Sequence, residues 1–428
     1  MRRASLWPVA LVVLALVFAA GCAEKETNPF DPSQDPDPPV VTGFSYSGGV
    51  ATWTTDEPAL CVLEYAPAGG EFRNYVYEST KDHAESHSVT VLGMEDGVEY
   101  EFRVRSLDRA GNEDYLSDAQ LPAAATGVAF TEPTMRLSVI DVGWGLSMAF
   151  ESPGGAHVLI DAGPVRHLDD VEGFLLEHDI TYLDYAAATH YHADHIGGYD
   201  EDGGILDSFW VGGFIGPDTT HILDFSQGDF NSDLREKLLD RNIPYYTVMQ
   251  GDDSTNREIL AWDDTPGFLV QVLSAGVGTQ FAPSPEYIPE DAEGNNDSIV
   301  FRFTFGDVSY ITMGDGEFFV ERYIIDYYGR HGVRADVLQV AHHANDDGTS
   351  PFWLDNVDPR VGLISNAMVE AALEKEVVLN AIRSADADYM VTDRIIPNTP
   401  RDAEPTYGHL IAVTDGETIE IITEEHDW

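Results

Sequence analysis

Residues 188–198 read ATHYHADHIGG and place three histidines and an aspartate within six positions: His190, His192, Asp194 and His195. In an ordinary core, side chains so alike and so close would compete for the same few hydrogen-bond partners. Neutral imidazole and carboxylate are, by contrast, ready ligands at pH 7 for zinc, manganese or iron. The apolar run before them and the paired glycines after them place the group at a strand end, where His190 and His192, two residues apart, point the same way. A turn at Ala193 is expected to aim Asp194 and His195 at a neighbouring position. Two such pairs side by side call for two metal ions, and the spacing H-x-H-x-D-H is highly specific.

A two-metal site needs further ligands from distant strand ends. The segment YITMGDGE ends in Asp315, well placed as a carboxylate bridging both ions, and LQVAHHAN ends in the pair His342 and His343. In HVLIDAG, Asp161 is suited to hold a ligand histidine through its other ring nitrogen. The chain has only two cysteines, Cys22 and Cys61, so the metals must rest on histidines and carboxylates. Two ions sharing a water lower its pKa and supply a hydroxide nucleophile. Asp194 or Asp315 could orient that water. The expected chemistry is metal-assisted hydrolysis.

The elements that must position these residues form an α/β pattern. From Met135 onward, RLSVIDVG, HVLIDAG, LDYAAATH, FLVQVLSAG, SIVFRFTFG, VSYITMGD and DVLQVAHH read as strands. HLDDVEGFLLEHD, SDLREKLLDRN, EFFVERYIIDYYG and VEAALEKEVVLNAIRSA read as helices. Several strands end directly in Asp, His or Gly, which lines polar groups along one sheet rim, where α/β layers usually keep ligand chemistry.

The order of these motifs resembles the metallo-β-lactamase fold, an αββα sandwich with a dinuclear site at its sheet edge. The resemblance covers residues 135–428 and runs closest to the branch typified by the hydrolase domain of the competence protein ComEC. It is carried by LSVIDVGWG, HVLIDAG, THYHADHIGG, NNDSIVFRFTFGDVSYITMGD, DVLQVAHH and YGHLIAVTDGETIEI. It implies that His190 and His192 bind the first ion and Asp194 and His195 the second, with Asp315 bridging. One of His342 and His343 would complete the second site, His343 by preference; His342 would then face the substrate, as a proton donor or oxyanion partner. No third ligand for the first ion stands out; His221, the only histidine of the central stretch, is a candidate, although a surface loop position suits it better. Two departures touch the substrate-facing residues: Trp144 and Leu146 stand where the branch has polar residues, and Ala344 and Asn345 replace a glycine and a serine. The branch leads to phosphodiester cleavage as the expected reaction.

The first 22 residues follow a different logic. Arg2 and Arg3 precede an apolar segment too short to span a membrane, which ends AAGC. This resembles the lipobox of bacterial lipoproteins, implying a lipid-modified Cys22 and a membrane-anchored, extracytoplasmic protein; a plain secretory signal is the alternative. Ala23 after the cysteine would suit outer-membrane sorting. Residues 23–39, with five prolines and alternating acids, read as a stiff linker. Residues 40–127 read as all-β, and YEFRVRSLDRAGN resembles the penultimate-strand region of fibronectin type III domains. Tyr100 would then be the corner tyrosine and Trp53 a core residue. Cys61 is expected in that core, and His83 and His87 on its solvated surface. The module is expected to be a spacer, or to contact protein or glycan, without chemistry of its own.

Composition narrows the partners. The chain of 428 residues carries 75 acidic and 23 basic residues, a formal net charge of −52. A polymer-binding nuclease ordinarily shows a basic footprint. Residues 135–428 contain no Lys/Arg cluster, so small phosphoesters, cell-envelope phosphoesters, lactones or other small esters are weighed beside nucleic acid. The rival from another class is an anchored adhesion or scaffold protein whose hydrolase domain is inert.

Overall fold

The computed structural model describes residues 37–116, 125–217, 225–276, 294–366, 372–392 and 408–424. The signal segment with Cys22, most of the linker, and His221 lie outside the described residues. No helix among the described residues is long and apolar enough to cross a membrane.

The described residues between 135 and 424 form four layers, helix–sheet–sheet–helix. The first sheet runs, in spatial order, through Tyr245–Thr247, Phe214–Gly216, Tyr185–Ala187, His157–Ala162, Ser147–Glu151, Met135–Val139, His409–Thr414 and Thr418–Glu424. The second runs through Phe268–Ser274, Val300–Phe305, Val308–Thr312, Val337–Gln339, Val361–Ile364 and Asp388–Val391. Both sheets are apolar on both faces, because each is covered on one side by the other sheet and on the other side by helices. Leu137, Phe150 and Ile160 of the first sheet meet Val270, Phe301 and Phe303 of the second in the central core. Outside the first sheet pack Val171 and Phe174 of helix Leu168–Glu177 and Ile196 of helix Ala193–Asp200. Outside the second pack Val320 and Ile324 of helix Phe318–Gly332, and Trp353 of helix Pro351–Val357.

The N-terminal β-module is not a detached bead. Its 18-residue strand Val50–Pro67 first pairs with Val41–Ser47 and Ala84–Thr90, then turns to pair with Asn74–Glu78 and Glu99–Leu107. Strand Asn74–Glu78 pairs in turn with Thr418–Glu424, so the module continues the first sheet. Trp53, Cys61, Tyr100 and Phe102 share its core, and the Tyr100 hydroxyl accepts a hydrogen bond from the Glu95 N–H at 3.0 Å.

His87 departs from the expectation of a surface position: it is 3% exposed. Strand alternation puts it on the same face as Val89, where its ring stacks on Trp53 and its Nδ1 lies 3.1 Å from Glu78. Burial works against its charge, but Cys61 and Glu78 raise it to about 9. His83 is half-buried rather than fully solvated.

Candidate metal centre

The chemistry-bearing residues come from the rims of both sheets. His190 follows the strand Tyr185–Ala187, and His192 occupies the N-cap of helix Ala193–Asp200. A helix start, rather than an isolated turn at Ala193, therefore sets the spacing of the motif. Asp194 falls in the first helical turn, where a carboxylate also suits the helix dipole. The paired glycines let this helix lie on the end of strand His157–Ala162: a Cβ on Gly198 would stand 2.4 Å from the Ala162 carbonyl oxygen.

From the second sheet, Asp315 follows strand Val308–Thr312, and His342 and His343 follow Val337–Gln339. The chain turns tightly here. His342, His343 and Ala344 have φ of 48°, 54° and 62°, a region costly for residues with a Cβ. Asp161 is also left-handed, at φ 58°.

Asp315 is the point of convergence. Its Oδ2 lies 3.1 Å from His195 Nε2, 3.5 Å from His343 Nε2, 3.8 Å from His190 Nε2 and 3.9 Å from His342 Nε2. His190 Nε2 and His192 Nδ1 are 2.9 Å apart, and His343 Nε2 is 3.5 Å from Asp194 Oδ2. Two triads able to grip a cation result, His190–His192–Asp315 and Asp194–His195–His343. A third group, Glu317–His342–Asp347, adjoins them. His190, His192, Asp194, His195, Asp315, His342 and His343 thus lie together at one place between the two sheet rims.

Asp161 sits behind the centre and orients it. It accepts from the Thr189 N–H at 2.7 Å and the Thr189 hydroxyl at 2.6 Å, and its Oδ2 lies 2.7 Å from His195 Nδ1. The Ser365 carbonyl oxygen, 3.1 Å from His343 Nδ1, fixes that ring, leaving its Nε2 for the centre.

Several supporting residues were not picked out from sequence. Thr189 directly precedes the motif; Ser298, whose hydroxyl accepts from the Asp315 N–H at 3.1 Å, closes the NNDS stretch. Asp347 lies 2.8 Å from His342 Nδ1, and Asn295 donates to Glu317 at 3.1 Å. Their adjacency to the motifs is the signal a sequence offers, and what each of them touches shows only in three dimensions.

The donor set fits divalent cations. His343 Nε2 and Asp315 Oδ1 are buried with no well-aligned hydrogen bond, which is costly unless something else satisfies them. Burial and the neighbouring His195 hold His190 well below the ordinary imidazole value, and burial likewise lowers His192. Burial would raise Asp194 and Asp315, yet the surrounding histidines hold both below the usual carboxylate range. Neutral imidazoles beside ionised carboxylates are the protonation states of metal ligands. Against its burial, Asp315 and Asp161 raise His195 well above its ordinary value, and a cation would displace that proton.

Comparison with known proteins gives a consistent but distant setting. No family model matches the sequence. Over 82 residues, 19% of this chain, it is 33% identical to ComE operon protein 3 of Bacillus subtilis (strain 168), of which the match spans 10%. The chain therefore covers about a tenth of that relative's length. Among solved structures it is similar to the metallo-β-lactamase fold protein YhfI from Bacillus subtilis, at 14% identity and TM-score 0.37. That match covers 60% of this chain and 96% of YhfI. It is also similar to a diphosphatase from the PhnP family, at 14% identity and TM-score 0.31, over 55% of this chain and 86% of that one.

Proposed function

We propose that this chain is a dinuclear-metal hydrolase of the metallo-β-lactamase type, ComEC-like branch, that cleaves phosphodiesters. The observation that carries the reading is the convergence of His190, His192, Asp194, His195 and His343 around Asp315. The short match to ComE operon protein 3 supports the same branch.

His190, His192 and Asp315 would hold one cation, Asp194, His195 and His343 the other, with Asp315 shared; zinc or manganese suits these donors. Bound there, the pair would polarise the ester and acidify a water. The protein side chains supply the rest. Asp194 and Asp315 accept hydrogen bonds and so orient the attacking water. His342, braced by Asp347, turns Nε2 toward the centre, where it donates to a substrate oxygen. Asp161 keeps His195 in one tautomer.

The charge of −52 favours small or surface-tethered esters over nucleic-acid polymers, so lactones and other small esters form the second reading. A lipid anchor at Cys22 with residues 23–39 as spacer, and a fibronectin type III-like module after it, would present the enzyme outside the cytoplasm on an envelope surface. Protein or glycan contact through that module belongs to the same proposal.

Metal analysis of the purified chain should find about two equivalents of zinc or manganese. The loaded protein should hydrolyse bis-p-nitrophenyl phosphate in preference to lactones and nitrocefin, and His192→Ala should abolish turnover. Absence of metal would favour the scaffold reading, and activity surviving in His192→Ala would reject the assigned centre.

A further inference from the structure

Trp144 is a large apolar side chain that the fold leaves 36% exposed beside a residue assigned to the metal centre. Its ring centroid lies 5.4 Å from that of His343. The loop carrying it is held closely. The Gly143 N–H donates to Asp141 at 3.0 Å, and the Asp141 N–H donates to His409 at 2.9 Å. Arg166 donates to the Trp144 carbonyl at 2.9 Å, and Ser365 to the Gly145 carbonyl at 2.7 Å. The Leu146 N–H donates to the Asp194 carbonyl at 3.1 Å. Gly143 and Gly145 take φ of 61° and 140°, and a Cβ on Gly145 would stand 2.5 Å from the Asp194 oxygen. Only glycine lets the backbone lie this close to the metal-binding segment.

A loop pinned on both sides of one half-exposed indole does not build core. It presents a flat ring on a fixed backbone beside His343, an arrangement suited to an aromatic side chain in a binding site. We infer that Trp144 is a stacking platform, and that the substrate carries a ring, aryl, nucleobase or sugar, adjoining the ester or phosphate group that the centre binds. This rests on the hydrolase reading of the centre and narrows its substrate class to ring-bearing esters.

The test separates ring recognition from the reaction. Phenylphosphonate and methylphosphonate share the metal-seeking group and differ in the ring, and their binding to the metal-loaded full chain can be measured by calorimetry. Phenylphosphonate should bind about tenfold more tightly, the scale of one aromatic stack. Trp144→Ala should close that gap while methylphosphonate affinity and metal content stay unchanged, and Trp144→Phe should keep most of it. A gap that persists in Trp144→Ala, an equal loss for both phosphonates, or no preference in the unsubstituted protein would overturn the platform. Turnover is read separately, on bis-p-nitrophenyl phosphate and methyl p-nitrophenyl phosphate. Failure to cleave either rejects the phosphodiester reading, while the binding gap still decides on Trp144.

Discussion

Asp161 shows how much of the centre is settled behind it. It is fully buried, and its oxygens face Thr189 and His195. Replacing it with alanine would take the acceptor from the Thr189 N–H and free the His195 ring to turn. Loss of such an orienting partner typically lowers metal affinity about 10- to 100-fold. Competition titration with a chelating dye should show that loss in Asp161→Ala, whereas a change of less than about twofold would remove the residue from the centre. At this scale the sequence was informative where function is local. The run from His190 to His195 declared itself by spacing, and Asp315 and His343 by ending apolar runs. Asp347 and Glu317 did not, because their relevance comes from His342, Asn295 and Asn296 reaching them through space. Ser86 and Ser88 around His87 point to a solvated position, whereas its phase with Val89 marks the inward face.

Element geometry explains why the motif residues have the neighbours they have. The helix Ala193–Asp200 can deliver Asp194 and His195 only because Gly198 lets it touch strand His157–Ala162. Gly198→Ala places a methyl 2.4 Å from a backbone oxygen, forcing the helix outward. Such overpacking costs about 1–3 kcal/mol, and metal content should fall with it, measured by denaturant unfolding and metal analysis. The turn after strand Val337–Gln339 makes the opposite prediction. Ala344, where the resembling branch has glycine, sits at φ 62°. Ala344→Gly should stabilise the chain by about 0.5–1 kcal/mol through relief of that strain, less the entropy glycine adds to the unfolded chain. Unfolding midpoints check it, with metal content expected to stay constant. The strand and helix alternation that builds these elements was legible from periodicity. The helix beginning at Ala193 was not, since its apolar residues Ile196 and Tyr199 are too few to show a period and its two glycines disfavour helix.

The described residues of the β-module and of the sheet sandwich are joined into one body through a common sheet. Strand Thr418–Glu424 is shared property: it closes the first sheet and pairs with Asn74–Glu78 of the β-module. Further ties cross nearby. Lys81 pairs with Asp358 at 2.9 Å, Arg360 donates to the Glu78 carbonyl, and Arg105 pairs with Asp388. These last contacts border a cleft of about 950 Å³ between the two regions. At the joint, Glu420 is fully buried, accepting from the Tyr65 hydroxyl and from the Leu92 and Gly93 N–H groups at 2.6 and 3.0 Å. Burial raises its carboxyl to about 7, although Tyr65, those N–H groups and Arg136 favour the ionised form. The folded chain therefore keeps a proton there that the unfolded chain, titrating near its ordinary value of 4.5, has released. The stability linked to this proton is fully present below pH about 4.5 and is lost as pH rises through about 7. Glu420→Gln cannot ionise, so its stability relative to the unsubstituted chain should climb across that window, by up to about 3 kcal/mol. Urea unfolding of both proteins at pH 4.5, 6 and 8 measures the difference. A flat difference would mean that the joint holds no shifted carboxyl, and a falling one would reverse the sign of the linkage. If the two regions are one cooperative unit, the shift must also appear in a probe confined to the helix–sheet–sheet–helix layers, such as the midpoint at which metal is released during unfolding.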